Sequence, residues 1–174
     1  MRLRLFIISV LCFYGCSSFN DNNLTNAEKF QIAIDLFDDK KYQKAKEYFE
    51  EIVQNEQGTN LGLESTFYLA KTLYELKEYE EASYNFNYFS MFSKDIENVE
   101  YSQYMKSKCA YELTLPYNKD QSSTLYAISI IQEFLDNFPY SSYKDSAFDM
   151  ILKLRHRLGR KKFESGRLYL KMKK

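Results

Sequence analysis

Two stretches of the chain, AIDLFDDKKYQKAKEYF at residues 33–49 and AKTLYELKEYEEASYNF at residues 70–86, are variants of one pattern. Five matched positions recur between them with a constant separation of 37 residues. The matched pairs are Ala33 and Ala70, Leu36 and Leu73, Tyr42 and Tyr79, Ala45 and Ala82, and Phe49 and Phe86. Self-similarity at one fixed period indicates a repeat protein whose units stack on their neighbours.

The residue types at the matched positions suit pairs of packed helices. An alanine methyl group lets a partner helix approach closely, and a phenylalanine at i+4 fills the space one turn further along the same face. The short polar segments at residues 38–41 and 76–78 form turns between the helices. The spacing Tyr-x-x-Ala-x-x-x-Phe resembles the second helix of a tetratricopeptide unit. We therefore predict an all-α fold, a right-handed superhelical stack of tetratricopeptide-like helix-turn-helix repeats (an α-solenoid).

Two further units follow the matched pair. In the third, helices are predicted at 104–113 and 122–137, joined by a polar loop at 116–121. A fourth unit begins near Ser141, and a new helix is predicted to begin near Lys161. The packed residues of these units are Ala110, Ala127, Ile131, Phe134, Ala147, Met150, Ile151, Leu154 and Leu158. We expect about four repeats over residues 27–174 and, because no capping helix is apparent, a C-terminally truncated sequence.

The N-terminus has the layout of an export signal. Two arginines precede an apolar run at residues 5–14, which is too short to remain as a membrane-spanning helix. The segment Phe13-Tyr14-Gly15-Cys16 resembles the lipobox of bacterial lipoproteins, although Phe13 and Tyr14 are bulkier than usual. We expect a signal peptide at 1–15, a lipid (palmitate) on Cys16, and a flexible tether at 16–26. The alternative is an ordinary signal peptide with an incidental cysteine.

The cysteines and the charges exclude several classes of protein. We expect Cys12 to be lost with the signal peptide and Cys16 to be acylated. Cys109 then has no disulfide partner, and we predict that it is buried. The chain has 24 basic and 24 acidic residues, and 10 of the basic ones lie in residues 153–174. The remainder of the folded part is acidic, which argues against nucleic-acid binding. The basic tail is either a solvated helix face or a contact for an acidic partner protein.

No catalytic or metal-binding constellation is present in the sequence. His156 is the single histidine and is predicted to lie on the surface, and no glycine-rich phosphate loop occurs. We expect a binding protein, not an enzyme, with no metal and no cofactor apart from the covalent lipid. The first helix of each unit would line its concave surface. For each candidate residue named next, the alternative is that its side chain only packs between helices. The candidate peptide-binding residues are Tyr68, Lys71, Tyr74, Tyr104, Lys108 and Tyr111.

Three later segments resemble the BamD family of outer-membrane lipoproteins. They are the loop LPYNKDQ at residues 115–121, the stretch from Ala127 through Phe138-Pro139-Tyr140-Ser141, and LRHRL at residues 154–158 with Phe163-Glu164. The resemblance implies lipid anchoring at the periplasmic face of a Gram-negative outer membrane. It also implies unfolded outer-membrane proteins, a BamA-type barrel subunit and other assembly-machinery lipoproteins as partners. The alternative is another periplasmic repeat lipoprotein that acts as a scaffold, for example around peptidoglycan or division proteins.

Overall fold

The computed structural model describes residues 24–173, and this part of the chain forms seven helices and no strand. Each helix packs on the next one along the chain. The predicted all-α repeat fold is confirmed: three helix-turn-helix units are followed by a seventh, longer helix. The helices are α1 (Asn26–Asp38), α2 (Tyr42–Asn55), α3 (Asn60–Glu75), α4 (Tyr79–Phe92), α5 (Ile96–Glu112), α6 (Ser122–Asn137) and α7 (Lys144–Met172).

The repeated alanines and phenylalanines form the seams between the helices. Ala33, Ala45 and Phe49 are fully buried in the first unit, and Ala70, Ala82 and Phe86 are fully buried in the second. Burial of one such phenylalanine contributes about 1.5–3 kcal/mol. The predicted packed residues of the later units, from Ala110 to Leu154, are buried as well, and Cys109 is buried with them.

The turns within the first two units have the same geometry. Lys40 and Lys77, which are 37 residues apart, adopt left-handed backbone conformations with φ of 61° and 66°. The amide of Lys41 donates to the carbonyl oxygen of Leu36 at 2.8 Å, and the amide of Glu78 donates to that of Leu73 at 2.9 Å. These 6→1 hydrogen bonds satisfy carbonyls at the ends of α1 and α3. The repeat therefore extends to the backbone of the turn.

Two predicted boundaries were wrong. Helix α5 begins at Ile96, eight residues before the predicted start, because the Asp95 side chain accepts hydrogen bonds from the amides of Glu97 and Asn98 and caps it. Helix α1 begins at Asn26, the last residue of the predicted tether. Thr25 caps it in a reciprocal arrangement with Glu28. Helix α6 has the predicted bounds.

The predicted break near Lys161 is also wrong, because α7 runs without interruption for 29 residues. No proline interrupts this stretch, and Gly159 and Gly166 lie in it without a turn. Its buried residues end at Leu154, so the remaining turns of the helix are largely exposed. A single glycine is tolerated inside a helix at a cost of about 1 kcal/mol, so the backbone hydrogen bonds continue through both glycine positions.

The predicted signal peptide, Cys16 and the tether up to residue 23 lie outside the described residues. Among the residues that are described, no helix is long and apolar enough to span a bilayer.

Candidate peptide-binding face

Lys71 on α3 lies in a cage of aromatic rings. Its ammonium nitrogen is 4.7 Å from the ring centroid of Tyr68, 5.1 Å from that of Phe37 and 5.5 Å from that of Phe67. Burial lowers the pKa of Lys71, and the charges of Asp38 and Glu75 oppose that shift. The π faces of the rings favour a cation, so a half-buried ammonium is held here without a carboxylate contact among the described residues.

Lys108 on α5 repeats this arrangement one unit further along. Its ammonium nitrogen is 4.9 Å from the ring centroid of Tyr74 and 5.9 Å from that of Tyr104. Lys71 and Lys108 are 37 residues apart, which is the period of the repeat. The two lysines therefore occupy equivalent places on the first helices of successive units, and each lies beside its own set of aromatic rings.

The four predicted tyrosines of this face differ in how accessible they are. Tyr68 and Tyr111 are half-buried, as is Tyr74. Tyr68 stacks on Phe49 at 5.8 Å between ring centroids. Tyr104 is 8% exposed, stacks on Tyr143 at 4.4 Å, and shares a 2.8 Å hydrogen bond with Ser146. Tyr104 is thus a packing residue between α5 and α7, and its ring is accessible to Lys108 rather than to a ligand.

A cleft of about 560 Å³ adjoins Lys71 between α3 and α5. Phe67, Tyr101 and Tyr143 form aromatic parts of its lining, and burial raises the pKa of Tyr101 to about 12. Of the described residues that line the cleft, Lys71 is the one cation, whereas Glu64, Asp95 and Glu97 are acidic. The cleft can therefore hold an aromatic group beside Lys71, within a rim that repels additional negative charge.

Sequence reasoning missed Phe37, Phe67, Tyr101 and Tyr143, which form much of the cages and the cleft. One signal was present in the sequence: Phe67 and Tyr104 are 37 residues apart, as are Tyr74 and Tyr111. Aromatic residues that recur with the lysines mark the cages. Tyr101 and Tyr143 carry no such signal, because their meeting depends on how α7 packs against α5.

Part of the basic tail holds the long loop of the third unit against α7. Arg157 donates to the Thr114 hydroxyl and to the Leu115 carbonyl, the guanidinium of Arg160 lies 4.2 Å from the ring centroid of Tyr117, and Lys161 donates to the Lys119 carbonyl at 2.6 Å. His156 is exposed beside them, as predicted. These three cations are structural, so the tail is more than a solvated helix face.

A stack of helix pairs with caged lysines along one face defines a helical-repeat protein. Within the described residues, no group of histidine, cysteine or acidic side chains is arranged to hold a metal ion. The sequence matches the YfiO family, described as outer membrane lipoproteins, over residues 22–174, and the chain belongs to this family.

Two relatives carry the name outer membrane protein assembly factor BamD. The chain is 30% identical to that of Rickettsia prowazekii over 98% of its own length and 69% of the relative's. It is 23% identical to that of Caulobacter vibrioides over 82% of its own length, and covers 47% of that relative. The chain thus spans about half of one relative and over two thirds of the other. The predicted membership of the BamD family is confirmed.

Proposed function

We propose that this chain is a lipid-anchored assembly factor at the periplasmic face of a Gram-negative outer membrane. It binds unfolded outer-membrane proteins on the face formed by α3 and α5. It acts with a BamA-type barrel subunit and other lipoproteins of the assembly machinery. Support comes from the family match over residues 22–174, from the names of the two relatives and from the lipobox-like segment that ends in Cys16.

The observation that carries the client-binding proposal is the repeated caged lysine. Lys71 and Lys108 lie one repeat apart on successive first helices, each above aromatic rings. An extended peptide that ends in an aromatic residue can place its ring in the cleft and its terminal carboxylate at Lys71. A charge-assisted hydrogen bond in a partly desolvated site is stronger than one on the open surface.

The acidic rim makes this recognition selective. Glu64, Asp95 and Glu97 surround the cleft, so a peptide rich in acidic residues is repelled while a single terminal carboxylate still reaches Lys71. We expect basic or neutral residues in the segment before the terminal aromatic residue.

Peptide binding tests this site. A fluorescent peptide with a C-terminal phenylalanine carboxylate should bind the full chain at least about 10-fold more weakly when Lys71→Gln and Lys108→Gln are combined, which corresponds to about 1.4 kcal/mol. The same peptide with a C-terminal amide should be insensitive to the change. Tyr104 is left intact because its burial makes a substitution there a test of folding.

Lys44→Gln provides the matched control, because Lys44 is an exposed lysine on α2 and belongs neither to the cages nor to the lining of the cleft. It should leave the affinity unchanged. Equal affinity of the wild type and the double variant, with both folded by circular dichroism, would rule out the caged lysines as the binding site.

The anchor and the partners need separate experiments. Metabolic labelling with palmitate should label the wild-type chain and not Cys16→Ala. Affinity purification from detergent-solubilised membranes should recover the BamA-type subunit with the wild type. A labelled chain that recovers no such subunit would retain the anchor and contradict the assembly role.

A further inference from the structure

Helix α4 has a second apolar face that repeat packing does not use. Ala82, Phe86 and Phe89 on its inner side are buried in the stack. On its outer side, Tyr84, Tyr88, Met91 and Phe92 are between 40% and 69% exposed. We call these four residues the α4 outer face. Monomeric proteins rarely expose contiguous large apolar side chains without a use for them.

Comparison with the preceding repeat shows that this face is specific to the second unit. At the period of 37 residues, the positions equivalent to the α4 outer face lie on α2 and are all polar or charged. They are Glu47 for Tyr84, Glu51 for Tyr88, Gln54 for Met91 and Asn55 for Phe92. The fold therefore tolerates charges at these positions, and aromatic residues on α4 are not a requirement of the solenoid.

The α4 outer face is uncharged and continuous. Residues 84–92 contain no ionisable acid or base other than tyrosine. The rings of Tyr88 and Phe92 contact each other at 4.7 Å between centroids, and Ile96, which is 78% exposed, lies just beyond the end of α4. Tyrosine and phenylalanine on a helix segment that itself carries no charge suit the boundary between lipid headgroups and acyl chains.

The chain enters the folded domain beside this face. The Asn26 side-chain amide, at the start of α1, donates to a Glu56 carboxylate oxygen at 2.7 Å. Glu56 lines a cleft of about 520 Å³ together with Tyr84, Tyr88 and Phe92. Thr25 is nine positions after Cys16 in sequence, and that length of chain spans at most about 30 Å. A lipid on Cys16 therefore keeps this end of the domain close to the bilayer.

We propose that the α4 outer face, with Ile96, inserts into the headgroup boundary of the outer membrane. This proposal rests on the lipid anchor proposed above. The membrane contact orients the domain: the caged lysines lie on the first helices α3 and α5, so a membrane contact through the second helix α4 leaves them open to a client peptide.

Tryptophan fluorescence tests the proposal, since the native chain contains no tryptophan. Full-length Tyr84→Trp is compared with Glu47→Trp, which occupies the equivalent position on α2. Both are reconstituted in vesicles of phosphatidylethanolamine with a minority of phosphatidylglycerol, with or without brominated acyl chains. Brominated lipid should quench the tryptophan at position 84 at least ~2-fold more than the one at position 47. Equal quenching of the two would overturn the proposal.

The intact mass of the same samples reports whether Cys16 is acylated. It therefore distinguishes failure of the lipid anchor from failure of the α4 contact. If the chain is acylated but the tryptophan at position 84 is not quenched more, the α4 contact is excluded and the anchor stands. If the chain is not acylated, co-flotation with vesicles decides. Binding that is lost in the double variant Tyr84→Glu, Tyr88→Glu supports the α4 contact. Absence of binding by the chain without these substitutions overturns it. If the emission of the tryptophan at position 84 shifts to the blue without quenching by brominated lipid, another protein covers the α4 outer face, and this outcome also overturns the proposal.

Discussion

At the scale of single residues, Cys109 couples stability to alkaline pH. Burial raises the pKa of its thiol from 9.0 to about 12. In the unfolded chain the thiol loses its proton at about its ordinary value, so between pH 9 and 12 the folded state binds more protons. The free energy of unfolding should therefore fall as the pH rises through this window. The stability that Cys109 contributes is fully present below pH 9.

Urea unfolding of wild type and Cys109→Ala at pH values below and above 9 measures this contribution. The variant should lose less stability across the window. Some dependence should remain in it, because burial also raises the pKa of Tyr101 to about 12. Identical slopes for the two proteins would show that the thiol does not titrate differently on folding.

The buried residues of the repeat were predictable one by one, whereas the complete set of rings around each lysine was not. Ala33 and Phe49 were placed in the core because a matched position in a repeat faces the same neighbour each time, and Cys109 was placed there because it lies in an apolar helical stretch. The ring of Phe37, by contrast, reaches Lys71 of the next unit. Contacts between units depend on how the units are rotated against each other, and one sequence contains no measure of that rotation.

At the scale of helices, Asp95 determines where α5 begins. Its side chain accepts hydrogen bonds from the amides of Glu97 and Asn98 at 3.1 and 3.2 Å. Asp95→Ala should lower the free energy of unfolding by about 1 kcal/mol, since two amides of the first turn lose their acceptor. Chemical denaturation measures the loss.

Asp95→Asn separates capping from charge, because an asparagine oxygen caps about as well as a carboxylate. It should retain most of the wild-type stability. A loss as large as that of the alanine variant would mean that the negative charge near the helix N-terminus, not the hydrogen bonds, is the stabilising element.

Comparison of the predicted and observed helix bounds shows which helix ends are indicated by the sequence. Helix α6 was placed correctly because its apolar residues recur at helical spacing and Pro139 follows its end. Helix α5 was predicted too short because its first two turns carry few buried residues, and the Asp95 cap was overlooked. The predicted break in α7 near Lys161 was wrong. Gly159 is a possible helix end, but no proline follows it and the helix continues through it.

At the scale of the whole molecule, the role of the basic tail and the proposed role of the α4 outer face could not be read from composition. The basic tail was visible in the sequence, but its role in holding the third-unit loop follows from Arg157 and Lys161 meeting backbone carbonyls. The α4 outer face was hidden because its two tyrosines do not stand out in a chain that has 16 of them. Only the comparison with Glu47 and Glu51 on α2 distinguishes them from packing residues.

A stack in which each helix contacts chiefly its neighbours should unfold unevenly, from its less buried end. Helix α3 contributes eight buried residues, whereas those of α7 end at Leu154. Amide hydrogen exchange should therefore be slowest in α3 and fastest in α7 beyond Leu158. Leu154→Ala, which removes a fully buried side chain at a cost of about 2–5 kcal/mol, should speed exchange in α6 and α7. It should leave α1 and α2 nearly unchanged, and an equal acceleration in all seven described helices would mean that the stack opens as one cooperative unit.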